Sequence, residues 1–245
     1  MTLLYHGGGE IKLILWAERC TCFQFVFQKF YYKAPYIFSS FCIFALHILK
    51  KERRVTLNYK EIFHRIVLLL SSPAKAWNEI AERKEGRLVM PNFVYPMIGL
   101  CGLSEFGGAF IGREFTPDVF QVALTQCCAV AVALFGGFFL ATYLIDWMGR
   151  RWFGRTEPYD KVLEFVGNSM VVTFVLDIVS GLFSIMLLHW ILQIYTFVVV
   201  FEGARQMLKV TEEKLTEYTV ATTLIVLICP ALIEFVFTKL SVILN

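Results

Sequence analysis

The sequence lacks the short motifs that mark the common enzyme classes. It has no Gly-x-Ser-x-Gly elbow, no His-Glu-x-x-His pair, no Walker loop and no dinucleotide fingerprint. Seven cysteines occur, but no two of them form a Cys-x-x-Cys pair and no histidine spacing completes a metal site. These absences exclude the familiar catalytic and metal-binding sites and a disulfide framework. We predict a protein that is not an enzyme and that uses no cofactor and no metal.

Charged residues are scarce as well. They make up 18% of the chain, whereas 57% of its residues are hydrophobic and the mean hydropathy is +0.62. Because a soluble domain carries about 25% charged residues, this composition predicts an integral membrane protein. The net charge of +3 comes from basic residues beside apolar runs, where membrane orientation and anionic lipids account for them. We therefore expect no nucleic-acid partner.

What the sequence has instead is long apolar runs. A helix of about 20 apolar residues crosses the hydrocarbon core of a bilayer. The central hairpin shows the pattern: an apolar run, a basic turn at residues 149–155, and a second apolar run from Val162. Predicted spans lie at residues 93–112, 119–148, 162–182, 184–201 and 220–244. The predicted fold class is all-α, a polytopic membrane protein with a bundle of five transmembrane helices preceded by amphipathic interfacial helices.

The interfacial helices are predicted within residues 58–90, a cytosolic segment that precedes the transmembrane domain of residues 91–245. This segment is apolar on one helix side and too charged to span. Ser72 offers an N-cap with Pro73 at the first helical position, and Trp77 lies on the apolar face of that second helix.

Residues 1–57 are a doubtful extension. Their apolar run at residues 34–49 lacks the following small-residue cleavage site of a signal peptide. Two interpretations stand: a marginal span or surface-lying segment, or translated upstream sequence from a start site assigned too early. We favour the second, which an intact mass beginning at Met1 in natively expressed protein would refute.

Small residues recur every fourth position within several spans. Such spacing places them on one helix face and lets a neighbouring backbone approach closely. The candidate helix-packing seam of the second span comprises Ala129, Ala133, Gly137 and Ala141. Related stripes are Ser104, Gly108 and Gly112 in the first span and Ser169, Thr173, Asp177 and Gly181 in the third.

Ionisable residues within spans are costly and therefore candidates for function. Four of them are predicted to share one layer of the bundle: Glu105, Asp177, His189 and Glu234. One interpretation is a proton or cation relay in a small transporter or channel. The other, which we favour, is a hydrogen-bonded cluster that sets the register of the helices.

Lysine and arginine placement predicts the orientation. Basic residues concentrate at residues 50–87, 149–161 and 205–214, which share one side if five helices alternate. The positive-inside rule then places the amino terminus in the cytosol and the carboxyl terminus outside, most simply in the cytoplasmic (inner) membrane. The candidate cytosolic interface comprises Trp77, Arg150, Arg151 and Arg155.

Several features occur in the order seen in one known family. They are Ser72-Pro73-x-x-x-Trp77-x-x-Ile80, the pair Tyr95-Pro96, Gly154 in the basic turn and Pro230 in the last span. From residue 59 to residue 245 the chain resembles the Yip-domain family, and specifically its prokaryotic-type branch. Eukaryotic members bind Rab-type GTPases in vesicle traffic, but the long cytosolic region of those proteins has no counterpart here, so that partner is not transferred. The resemblance implies a non-enzymatic membrane scaffold or membrane-organising factor of the trafficking type. Its expected partners are the lipid bilayer, an unidentified cytosolic or membrane protein, and further copies of the chain.

Overall fold

The computed structural model describes residues 59–183 and 192–244, and the described residues up to Ile243 belong to one compact unit. These residues form helices and no strand, as the composition predicts. The helices are α1 (Tyr59–Ser71), α2 (Pro73–Arg83), α3 (Tyr95–Gly108), α4 (Pro117–Trp152), α5 (Tyr159–Ser169), α6 (Val171–Phe183), α7 (Tyr195–Gln206) and α8 (Glu212–Leu244). A 3-10 turn at Gly86–Leu88 and a π-helical turn at Met90–Val94 lead from α2 into α3. The predicted extension at residues 1–57 and His189 lie outside the described residues.

Three helices in the described ranges are long and apolar enough to cross a membrane. They are Pro117–Trp152, the continuous helix Tyr159–Phe183 that joins α5 to α6, and Glu212–Lys239 within α8. The predicted count of five is not confirmed. The predicted span at residues 93–112 contains α3, which has only 14 residues, because a π-helical turn precedes it and Gly108 ends it. The predicted span at residues 184–201 falls partly on residues that are not described.

The amphipathic helices α1 and α2 pack against one another, and α2 packs against α7. Each uses one face: α1 buries Ile62 and Leu69, and α2 buries Trp77 and Ile80. Ser72 occupies the N-cap of α2 with Pro73 following it, but the Ser72 side chain makes no capping hydrogen bond. The residue placement expected from the sequence is present without the expected side-chain contact.

Two helix crossings are close enough to require glycine. A Cβ atom on Gly108 of α3 would lie 1.7 Å from the carbonyl oxygen of Gly181 in α6. A Cβ atom on Gly137 of α4 would lie 2.6 Å from the Cα atom of Pro230 in α8. Real Cβ atoms do not approach backbone this closely, so both crossings depend on the missing side chain.

Candidate functional site

Trp77 holds α2 against α5 and α7. Its side chain is fully buried, and its Nε1–H donates a hydrogen bond of 2.8 Å to the carbonyl oxygen of Val199 in α7. Its ring lies 5.5 Å from that of Phe165 in α5, and Gly203 leaves room beside it, since a Cβ there would come within 2.6 Å of the indole. A buried indole N–H needs such a partner, so this contact stabilises the docked position.

This position differs from the predicted role of Trp77 in a cytosolic interface. The sequence placed Trp77 on the apolar face of α2, which is correct, but that face is turned into the protein and not towards a partner. The reason is that α2 packs on α7 through this face. In this structure no surface of Trp77 is available to a second protein.

Glu164 provides a second contact, between α5 and the turn that follows α2. It is buried in α5, and its carboxylate oxygens accept hydrogen bonds from the backbone N–H groups of Glu85 (3.1 Å) and Gly86 (2.9 Å). These two amides follow the end of α2, and Gly86 has a φ of +56°, a conformation that favours glycine. The Arg65 side chain of α1 forms an ion pair with Glu85 in the same region. Sequence reasoning missed Glu164, because nothing in its neighbourhood shows that distant backbone donors converge on it.

A cluster of charges lies where α4 ends, and we call it the basic end of α4: Asp146, Arg150, Arg151 and Arg155. Arg150 Nε donates to both carboxylate oxygens of Asp146, at 3.1 and 3.0 Å, as expected for an i,i+4 pair. Arg155 Nη2 reaches the same carboxylate at 2.6 Å from beyond the turn.

Two glycines let Arg155 return over α4. Gly154 has a φ of +62°, which reverses the chain, and a Cβ on Gly149 would lie 2.6 Å from Arg155 Nε. Of the predicted interface arginines, Arg150 and Arg151 are exposed. Arg155 is buried, and its side chain forms an ion pair with Asp146 within the protein. The role of the two exposed arginines in an interface stays a prediction.

Three members of the predicted polar layer come near one another. Asp177 of α6 interacts electrostatically with Glu105 of α3 and with Glu234 of α8. Glu105 and Asp177 are half-buried, whereas Glu234 is exposed on α8. No ion pair joins a basic residue to any of them within residues 59–183 and 192–244, and no group of His, Cys, Asp or Glu there could hold a metal ion. His189, the predicted titrating member, lies outside the described residues.

The residues of the predicted packing seam of α4 differ in how deeply they are buried. Gly137 lies against Pro230, and Ala133 and Ala141 are buried, whereas Ala129 is only half-buried. The stripes of α3 and α6 meet at Gly108 and Gly181.

The sequence matches a model of a known protein family. A family model described as the Yip1 domain matches residues 67–233, which is more than half of the chain. The match begins within α1 and ends within α8, so it includes both Trp77 and Glu164 as well as the basic end of α4. No curated protein and no solved structure matches the sequence.

Proposed function

The chain is a member of the Yip1-domain family, and from this premise we propose that it is a non-enzymatic membrane scaffold that organises the bilayer around it. The scaffold acts through an interfacial platform, the name used here for α1 and α2 together. The platform rests on one leaflet and is joined to the transmembrane helices, so that its position on the lipid is transmitted to the rest of the protein.

One observation carries this proposal: the platform is docked by one face and leaves an apolar stripe on another. The stripe comprises Tyr59, Phe63 and Val67 of α1, spaced four residues apart and exposed to 74%, 68% and 46%. Large apolar side chains aligned on an amphipathic helix are typical of segments that lie in the lipid interface. Because α1 is attached through Ile62 and Leu69, which are buried on a neighbouring side of the helix, the stripe is free to enter lipid while α1 stays attached.

The attachment supports a mechanical role. Trp77 and Glu164 both hold the platform to helices that are far away in sequence, and Tyr195 of α7 adds a hydrogen bond from its hydroxyl to the carbonyl oxygen of Leu70 at 2.9 Å. A helix that inserts into one leaflet expands that leaflet, and a fixed attachment keeps the expansion at the protein. We propose that this local asymmetry is how the protein organises membrane.

The test reconstitutes the full chain into vesicles of phosphatidylcholine and phosphatidylglycerol and records vesicle shape and clustering by electron microscopy. We expect a protein-dependent change of shape that Phe63→Glu abolishes, because a carboxylate in the stripe opposes insertion. Asn78→Glu, at an exposed polar position of α2, is the matched control, since it adds the same charge without removing apolar surface. Equal effects of the two variants would contradict the role of the stripe.

The same vesicles distinguish scaffolding from transport. A transporter built on Glu105, Asp177 and Glu234 would give ion or solute flux that Asp177→Asn abolishes at unchanged vesicle shape, and this result would overturn the proposal. A scaffold retains its effect on vesicle shape in Asp177→Asn. Crosslinking and affinity capture from native membranes would then identify a protein partner.

A further inference from the structure

A cleft of about 350 Å³ opens at the basic end of α4 and is lined by Tyr143, Asp146, Trp147, Arg150 and Arg151. Four of these residues lie at positions i, i+4, i+7 and i+8, which places Tyr143, Trp147, Arg150 and Arg151 on one side of the helix. Tyr143 is 62% exposed and Trp147 is 48% exposed. The cleft therefore combines two exposed aromatic rings with two exposed guanidinium groups.

The depth of this cleft is set by the sequence of α4. No charged residue occurs in the helix from Val119 to Ile145, and the next charge, Asp146, marks the exit from hydrocarbon. Tyrosine and tryptophan side chains favour the level of the lipid headgroups, and Trp152 extends this aromatic surface, with its ring 5.4 Å from that of Trp147. The walls of the cleft thus lie where a lipid headgroup lies.

The charge of the cleft is unbalanced. Asp146 is shared between Arg150 and Arg155, so one carboxylate faces two guanidinium groups. Arg151 adds a further positive charge, and its side chain has no ion pair or hydrogen bond with any residue that the structure describes. Its donors are available to an external anion, and an arginine fork binds phosphate oxygens in pairs.

We propose that this cleft is a binding site for an anionic phospholipid of the surrounding leaflet. Arg151 binds the phosphate oxygens, Arg150 supports it from the next position, and the rings of Tyr143 and Trp147 pack against the glycerol and the first acyl carbons. A lipid is the occupant that satisfies both halves of the site, since a soluble phosphate would leave the aromatic wall uncovered. The assignment is independent of the interfacial platform, which lies on other helices.

Native mass spectrometry of the full chain in detergent, with phosphatidylglycerol or phosphatidylcholine added, tests the site. We expect retained phosphatidylglycerol and an affinity about tenfold lower in Arg151→Gln, the loss expected for one charge-assisted contact. Trp147→Leu, a second variant that keeps the apolar helix surface, should weaken retention several-fold. Lys214→Gln is the matched control, because it removes the same charge from an exposed position at the start of α8.

Each other outcome contradicts the assignment. Equal loss in Arg151→Gln and Lys214→Gln would show that net charge alone attracts the lipid. Equal retention of phosphatidylcholine would remove the requirement for an anionic headgroup. Displacement of the lipid by millimolar inorganic phosphate would identify a soluble anion as the occupant. Retention unchanged in both Arg151→Gln and Trp147→Leu would place the lipid elsewhere on the protein.

Discussion

At the scale of the residue, two buried polar side chains hold together parts of the chain that are far apart in sequence. Trp77 donates across 122 positions to Val199, and Glu164 accepts across 78 positions from Gly86. A buried polar group that loses its partner costs about 1–3 kcal/mol, so each contact specifies one docked arrangement. Neither residue faces solvent, and each acts by fixing the platform in place.

Replacing Trp77 tests the first of these contacts. Trp77→Ala removes a fully buried ring and should lower the free energy of unfolding by about 3–5 kcal/mol, because the cavity between α2, α5 and α7 cannot close completely. Chemical unfolding in detergent micelles measures the change. Trp152→Ala is the control, since its ring is 62% exposed and its loss should cost less than about 1 kcal/mol. Similar costs for the two tryptophans would contradict the docking role of Trp77.

Replacing Glu164 tests the second contact with a local readout. Glu164→Gln places an N–H₂ group where one carboxylate oxygen accepts from a backbone amide, so the amides of Glu85 and Gly86 should exchange hydrogen faster, about tenfold. Hydrogen exchange followed by mass spectrometry reports on this turn. The control is Asp160→Asn, which breaks an ion pair of 2.7 Å with the exposed Arg87 nearby. Exposed pairs contribute little, so unchanged exchange is expected there.

At the scale of the element, α4 combines a helix-packing surface with the proposed lipid site. Its apolar part packs against α3 and α8, and its last turns carry the arginines of the proposed lipid site. Adjacent glycines in α4 have opposite environments. Gly137 faces the backbone of Pro230, whereas a Cβ on Gly136 would meet the flexible side chain of Ile233 at 3.1 Å.

This pair of glycines gives a matched experiment. Gly137→Ala should destabilise the protein by about 2 kcal/mol or more, because the added methyl group collides with backbone that cannot move aside. Gly136→Ala should be neutral or stabilise by up to about 1 kcal/mol, since the Ile233 side chain can shift and alanine favours helix. The melting temperatures of the two variants and of the unmodified protein in detergent measure these changes. Equal shifts would mean that the crossing of α4 and α8 is looser than described.

At the scale of the whole molecule, the charges are distributed unequally along the axis of α4. This helix of 36 residues is about 54 Å long at 1.5 Å per residue, which exceeds the hydrocarbon core of about 30 Å. Its two ends therefore lie on opposite sides of a bilayer that it crosses. Arg150 and Arg151 lie at one end and Asp118 at the other. The positive-inside rule therefore predicts that the end with the two arginines faces the cytosol.

Single cysteines introduced at exposed positions test this orientation. Thr156→Cys, after α4, and Glu213→Cys, in the first turn of α8, should react with a membrane-impermeant maleimide only from the cytosolic side. Glu114→Cys, before α4, should react only from the outside. The unmodified chain, with its native cysteines, provides the background in sealed vesicles of either orientation. Labelling of Glu114→Cys and Thr156→Cys from one side would contradict a membrane-spanning α4.

Features that depend on local composition and helical period follow from the sequence alone. Apolar runs predicted an all-helical membrane protein, and the spacing of Gly137 and Gly108 marked the helix faces on which close crossings now lie. These inferences succeed because hydrophobic length and helical period are properties of neighbouring residues. The predicted count of five spans is not confirmed, since prolines and glycines divide the first apolar run into a π-helical turn and the short α3.

Which helix faces meet depends on the packing of the whole chain. The sequence identified the apolar face of α2, but whether Trp77 pointed to a partner or into the protein depended on α7, more than a hundred residues away. The same holds for Glu164, whose carboxylate binds two backbone amides that are distant in sequence. It holds also for Arg155, which packs over Gly149 and forms a buried ion pair with Asp146. Periodicity records the direction of a side chain from its own helix axis, whereas its partner is set by the packing of the chain as a whole.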